Sequence, residues 1–205
     1  MIVPLERLGV TADEVLRVPE RDCRLRGGIF DGHLAWVLEN HGAAGLSALW
    51  SEIPARLRPD AGERFDPEAW FPFESMVVID RLIVKLFGGD RETLRALGRF
   101  SARRNLTGKS GLRKGFTIQN HFWDARTHLA IFQNFGRCEY VPLGDSSFRM
   151  DYFDYVVRSR TFCESGLGYF EASVQILGGR NPIVEEIACQ CLGDRSCTYV
   201  TSWDE

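Results

Sequence analysis

The sequence predicts an α+β fold: an antiparallel sheet packed against a helical layer and closed by a C-terminal β-hairpin. Three observations predict it. Apolar residues recur at three- and four-residue steps up to about residue 135. Beyond that point alternation takes over, punctuated by the turn pairs Gly144-Asp145 and Gly193-Asp194. A single helical stretch separates the two hairpins, so helices gather early and strands late, unlike an alternating βαβ chain.

The elements follow in order. Residues 1–29 are charged and weakly periodic and read as an N-terminal arm or edge segment; residues 30–205 form the domain. Phe30, Leu34, Val37 and His41 mark a first helix, stopped at Asn40-His41-Gly42, and Leu46, Leu49, Trp50 and Ile53 mark a second, ended by Pro54. The proline-bearing stretch from Arg56 to Pro72 reads as a loop, part-buried by Trp70, Phe71 and Phe73. Glu74–Phe87 is apolar almost all round and predicts a central helix. Arg91–Arg104 and Thr117–Phe135 follow as helices. Arg137–Leu143 and Ser147–Val157 make the first hairpin, Phe162–Leu177 a helix, and Pro182–Cys191 with Cys197–Ser202 the last hairpin. Gly166, Gly168 and Ala172 let another backbone approach that last helix, either the sheet or a second subunit.

The chain has 205 residues, with 44% hydrophobic and 26% charged side chains, which suits one domain and excludes disordered, collagen-like and coiled-coil classes. No stretch approaches the roughly 20 apolar residues of a membrane helix, and the first ten residues hold no signal-peptide core, so a cytoplasmic location is expected. Between Arg81 and Lys114 the balance is +8 against a net charge of −3. Arg91, Arg95, Arg99 and Arg103 stand four apart, a basic stripe for docking an acidic protein partner or anionic ligand. Nucleic acid is not expected: the pI is about 5.9 and no recognition motif is present.

Six cysteines in a reducing compartment point to metal or reactivity before disulfides. Four fall late: Cys163, Cys189, Cys191 and Cys197. The last hairpin can bring Cys189 and Cys197 together, with Cys163 clamping the preceding helix to the sheet. Thiolates and a carboxylate are ordinary zinc ligands, and four of them saturate the ion, so a structural zinc is expected. Small buried core cysteines are the plain alternative. Cys191, two residues from Cys189, shares its face on a regular strand and is a substitute ligand or a reactive neighbour.

Glu186-x2-Cys189-x7-Cys197, with Gly-Asp in the turn and Cys163 at a helix start, resembles the 4-vinyl reductase domain, of the superfamily that includes NO-signalling and Golgi-transport ligand-binding domains. The motif spans about Thr161 to Trp203. The resemblance implies zinc on Cys163, Glu186, Cys189 and Cys197, a homodimer, and a ligand cavity between helices and sheet. The His and Trp that grip phenol in the family's sensors do not carry over; Lys114 and Pro142 stand at matching distances.

Phe122, Trp123, Phe132 and Tyr140 are the pocket-lining candidates for a small hydrophobic or aromatic ligand, with an aromatic core as the plain alternative. His121 and His128, seven apart on one face, are candidates for orienting a ligand or binding heme iron, although the Tyr-x-Ser-x-Arg signature of heme NO sensors is not found. Thr107-Gly108-Lys109-Ser110 imitates a P-loop end, but Arg103 replaces the required glycine. No nucleophile elbow or paired-carboxylate motif stands out. The expected function is a small-molecule-responsive regulatory or adaptor domain signalling through a protein partner. The competing readings are a carrier or enzyme acting on a tetrapyrrole or aromatic compound, and a structural interaction module.

Overall fold

The computed structural model describes residues 22–59, 64–107, 117–155 and 159–204. Residues 1–21 of the expected arm, Gly108, Lys109 and Ser110 of the P-loop-like segment, and Arg113 and Lys114 lie outside them. No helix among the described residues is long and apolar enough to cross a membrane.

Strand β1 (Arg24–Arg26) pairs antiparallel with β2 (Trp70–Pro72), Leu25 opposite Phe71. Leu25 is fully buried, so this part of the expected arm belongs to the body of the fold. Helix α1 (Gly28–Glu52) is broken at Gly42, whose φ of 67° and ψ of −174° only glycine adopts freely. This is the stop that Asn40-His41-Gly42 predicts. Helix α2 (Phe73–Phe87) ends on Gly88 in the left-handed region, and α3 (Arg91–Thr107) follows. Buried residues of β1, α1, α2 and α3, among them Phe30, Met76, Ile83 and Leu97, form a first apolar core with Phe65 of the segment before β2.

The expected helix over Thr117–Phe135 is two. Helix α4 (Ile118–Trp123) starts at Thr117, whose Oγ1 accepts the Asn120 N–H at 3.1 Å; Asp124 turns the chain into α5 (Ala125–Phe132), and Gln133 is extended. Strands β3 (Arg137–Gly144) and β4 (Ser147–Phe153) form the first hairpin. Helix α6 (Arg160–Ile176) is capped by Ser159, whose Oγ accepts the Phe162 N–H at 3.3 Å. Strands β5 (Arg180–Ala188) and β6 (Cys197–Asp204) complete an antiparallel sheet of order β3-β4-β6-β5. The α+β class with an antiparallel sheet and a helical layer is therefore the observed one. A second apolar core lies between this sheet, α4 and α6, and holds Phe122, Phe148, Met150, Phe170 and Tyr199.

Helices α3 and α6 cross at glycines. A Cβ on Gly98 would stand 1.8 Å from the Ser165 carbonyl oxygen, and one on Gly168 would stand 1.9 Å from that of Arg95. The small residues of α6 therefore admit a helix of the same chain. The same crossing absorbs the basic stripe. Arg91 and Arg95 reach Glu164 at 2.6 and 3.5 Å, and Arg95 and Arg99 reach Glu171 at 3.4 and 2.8 Å. Arg99 also pairs with Glu92. Three of the stripe's four guanidiniums are thus engaged within the chain, and only Arg103 stands outside this ladder.

Candidate functional site

A regular strand sends residues an odd number apart to opposite faces. Glu186 and Cys189 nevertheless both turn inward, because β5 carries an extra residue between its Glu186–Tyr199 and Ala188–Thr198 pairs. This bulge at Ile187 resets the alternation. A one-turn 3-10 helix (Gln190–Leu192) then leads to Gly193, in the left-handed region at φ 100°, and returns the chain to Cys197. The Cys189 N–H donates to Asp194 Oδ2 at 2.8 Å, which fixes the turn. Cys163, in the first turn of α6, faces the hairpin from the other side.

The result is a compact donor set. The Cys163 Sγ lies 3.8 Å from that of Cys189 and 4.0 Å from that of Cys197, and Cys189 and Cys197 are 4.0 Å apart. With a Glu186 carboxylate oxygen, all four atoms lie within 4.8 Å of one another. Sulfurs about 2.3 Å from a shared tetrahedral ion stand at such separations. The Gln190 N–H donates to Cys197 Sγ at 3.3 Å, and Glu186 Oε1 is buried with no hydrogen-bond partner among the described residues. Four acids this close ionise together only around a shared cation. Accordingly, hydrogen bonds from Cys163, then from Cys191 and Cys197, hold the Cys189 thiol far below its ordinary value. The bond with Cys189 pushes Cys163 up, and the bonds with Cys163 and Cys189 push Cys197 up. Burial carries Glu186 to about 7 against the opposing charge of Arg160. Cys191 is half-buried and within hydrogen-bonding reach of Cys163 and Cys189.

The four aromatic candidates differ in burial. Phe122 is buried, its ring 4.4 Å from Phe148 and 4.9 Å from Phe170. Tyr140, half-buried, packs against Phe148 at 5.5 Å. Trp123 and Phe132 are 54% and 46% exposed. Of the histidines, His33 binds Asp80 at 2.6 Å inside the first core, and His41 stacks on Phe87 at 3.9 Å. His128 is exposed, while His121 lies edge-on to Phe122.

Burial, then the charge of His128, lowers the His121 pKa from 6.5 to about 4, with Asp124 opposing. A folded-state value below the unfolded one means that the unfolded chain takes up the proton first. The stability tied to neutral His121 is therefore complete above about pH 6.5 and lost as pH falls toward 4. Urea unfolding across this window should show a slope of up to about 1.4 kcal/mol per pH unit that H121F lacks. Equal slopes in the two proteins would contradict this assignment.

No protein-family model matches the chain, and no curated protein matches it. Solved structures do. An H-NOX protein from S. oneidensis in the Fe(II)NO state matches with a TM-score of 0.69 and 13% identity, over 88% of this chain and 100% of that one. An oxygen-binding H-NOX domain related to soluble guanylate cyclases matches with a TM-score of 0.67 and 15% identity, over 88% and 96%. A structure probing heme distortion in the H-NOX family gives the same scores and coverage. At such identity the likeness is one of fold.

Two expectations are corrected here. The fold found is that of H-NOX domains, not of 4-vinyl reductase domains: the motif behind that resemblance is confined to one hairpin and one helix start, whereas the fold match spans 88% of the chain. Zinc as the cofactor is corrected likewise, since these structures name iron and heme.

Between the sheet, α4 and α6 the described residues leave no room for heme. It requires an enclosed apolar space faced by an axial ligand. Between α4, α6 and the sheet that space is filled by Phe122, Phe148 and Phe170, with Trp203 5.9 Å from Phe148. Two clefts of about 300 Å³ lie elsewhere and have charged linings, one at Asp90, Arg91, Glu92 and Arg95, the other at Asp22, Cys23, Asn134 and Asp154.

Proposed function

We propose that this chain is a heme-independent regulatory module on the H-NOX fold. Cys163, Glu186, Cys189 and Cys197 hold a thiophilic metal ion that clamps the terminal hairpin to α6. With four protein donors the site is closed to substrate, so the ion shapes the domain and does no chemistry. The fold neighbours include an H-NOX protein in the Fe(II)NO ligation state and an oxygen-binding H-NOX domain, which supports a small-molecule-responsive role here, with the output passed to a protein partner by a homodimer.

The observation that carries the reading is the donor set itself: three buried sulfurs 3.8–4.0 Å apart and a carboxylate oxygen without a partner. Ordinary core cysteines have no reason to converge in this way, and a buried unpaired carboxylate oxygen is costly unless a cation faces it. Native mass spectrometry of reduced protein purified without added metal tests it. One metal ion per chain, two chains per particle and no Soret absorption are expected. A metal-free particle overturns the site, and stoichiometric heme overturns the heme-independent reading.

A further inference from the structure

Beside the three sulfurs lies a guanidinium that no sequence pattern singles out. Arg160, the first residue of α6, has only 7% of its side chain exposed. Its Nη1 donates to Glu186 Oε2 and its Nη2 to Glu164 Oε1 at 3.0 Å. Since Arg160 takes Oε2, the oxygen of Glu186 left for the thiol cluster is Oε1, the one without a hydrogen-bond partner. Outward from Arg160 the charges alternate through Glu164 to Arg91 and Arg95, and on through Glu171 to Arg99.

We propose that Arg160 is the positioning residue of this site. It holds Glu186 so that one carboxylate oxygen faces the sulfurs, and it offsets buried negative charge. Three thiolates and a carboxylate around a divalent ion leave two excess negative charges, which a buried site tolerates only with a cation alongside. Arginine suits the task because its planar fork bonds two carboxylates at once, whereas lysine offers a single point charge. The ion pair also ties the clamp to the α3–α6 ladder, so that loss of Glu186 as a donor is felt at that crossing. This inference rests on the metal reading above.

Cobalt(II) is the probe, because its d–d bands report the donor set and competition with a chromophoric chelator reports affinity. The whole chain should take up one cobalt ion with intense tetrahedral bands. R160M should bind it about 10–100-fold more weakly, the range seen when a partner of a metal ligand is removed. Its bands should shift toward those of E186Q. Because Arg160 acts through Glu186, R160M/E186Q should bind no more weakly than E186Q alone. R160K, which keeps the charge but loses one arm, should fall between wild type and R160M in affinity with shifted bands, and serves if R160M does not fold. Wild-type affinity and bands in R160M or in R160K, or additive losses in the double variant, would overturn the proposal while leaving the site standing. No cobalt uptake by the unaltered chain would overturn the metal reading, and this proposal with it.

Discussion

Replacing Gly168 with valine is expected to destabilise the fold by at least about 3 kcal/mol, while Gly166→Ala, two residues away, leaves it unharmed. At Gly168 the new Cβ would lie 1.9 Å from the Arg95 carbonyl oxygen and 2.6 Å from its carbon, and at Gly98 the reciprocal contact is with the Ser165 carbonyl. Overpacked side chains relax at a cost of about 1–3 kcal/mol by changing rotamer. Helix backbone has no such escape. Relief requires α3 and α6 to part, which separates Arg91 and Arg95 from Glu164 and Arg95 and Arg99 from Glu171. Among the described residues a Cβ on Gly166 meets only the Tyr199 hydroxyl, at 3.8 Å, so alanine there gains helix propensity of up to about 1 kcal/mol without a clash. Urea titration separates the cases: the G168V midpoint drops with an unchanged slope, and the G166A midpoint holds or rises. A G168V protein within about 1 kcal/mol of wild type would mean that the helices are not locked at this crossing.

That crossing shows what the sequence could and could not announce. The small residues of α6 were legible as an approach point, and the arginines of α3 as a stripe. Glu164 and Glu171, seven apart on α6, supply the matching acids, and pairing the two patterns would have announced the internal ladder. Phe122 and Trp123 fell into one candidate pocket by proximity in sequence, yet consecutive helical residues point about 100° apart, and one is buried while the other is exposed. Strand β1 was hidden because three residues carry no periodicity and their partner begins at Trp70. The spacing from Cys189 to Cys197 was a readable hairpin signal. Glu186 was legible only through the family resemblance and not from strand alternation, because the bulge at Ile187 that turns it inward has no sequence signature. A local motif could thus find the donors without finding the architecture, which depends on the helices preceding it.

Stripping the proposed metal is expected to lower the melting temperature by about 8–16 °C. An ion that binds only the folded chain, present at about a thousand times its dissociation constant, stabilises by about 4 kcal/mol, and each kcal/mol is worth about 2–4 °C in a domain of this size. The loss should be local at first. The core of β1, α1, α2 and α3 contains none of the four donors, so its amides should stay protected. Those of β5 and β6 should exchange faster, because Cys163 no longer holds the hairpin to α6. Cys163→Ser and Cys197→Ser should each abolish the difference between chelated and metal-loaded protein, since a hydroxyl does not replace a thiolate at a soft site. Cys191→Ser is the discriminating control. Its thiol touches the cluster, but the mutually close donor set is complete without it, so metal content and melting should match wild type. If chelation leaves melting and exchange unmoved, the clamp does not exist. If Cys191→Ser loses the metal as Cys163→Ser does, the fourth donor is a sulfur of the 3-10 turn, and Glu186 serves only as the counter-charge to Arg160.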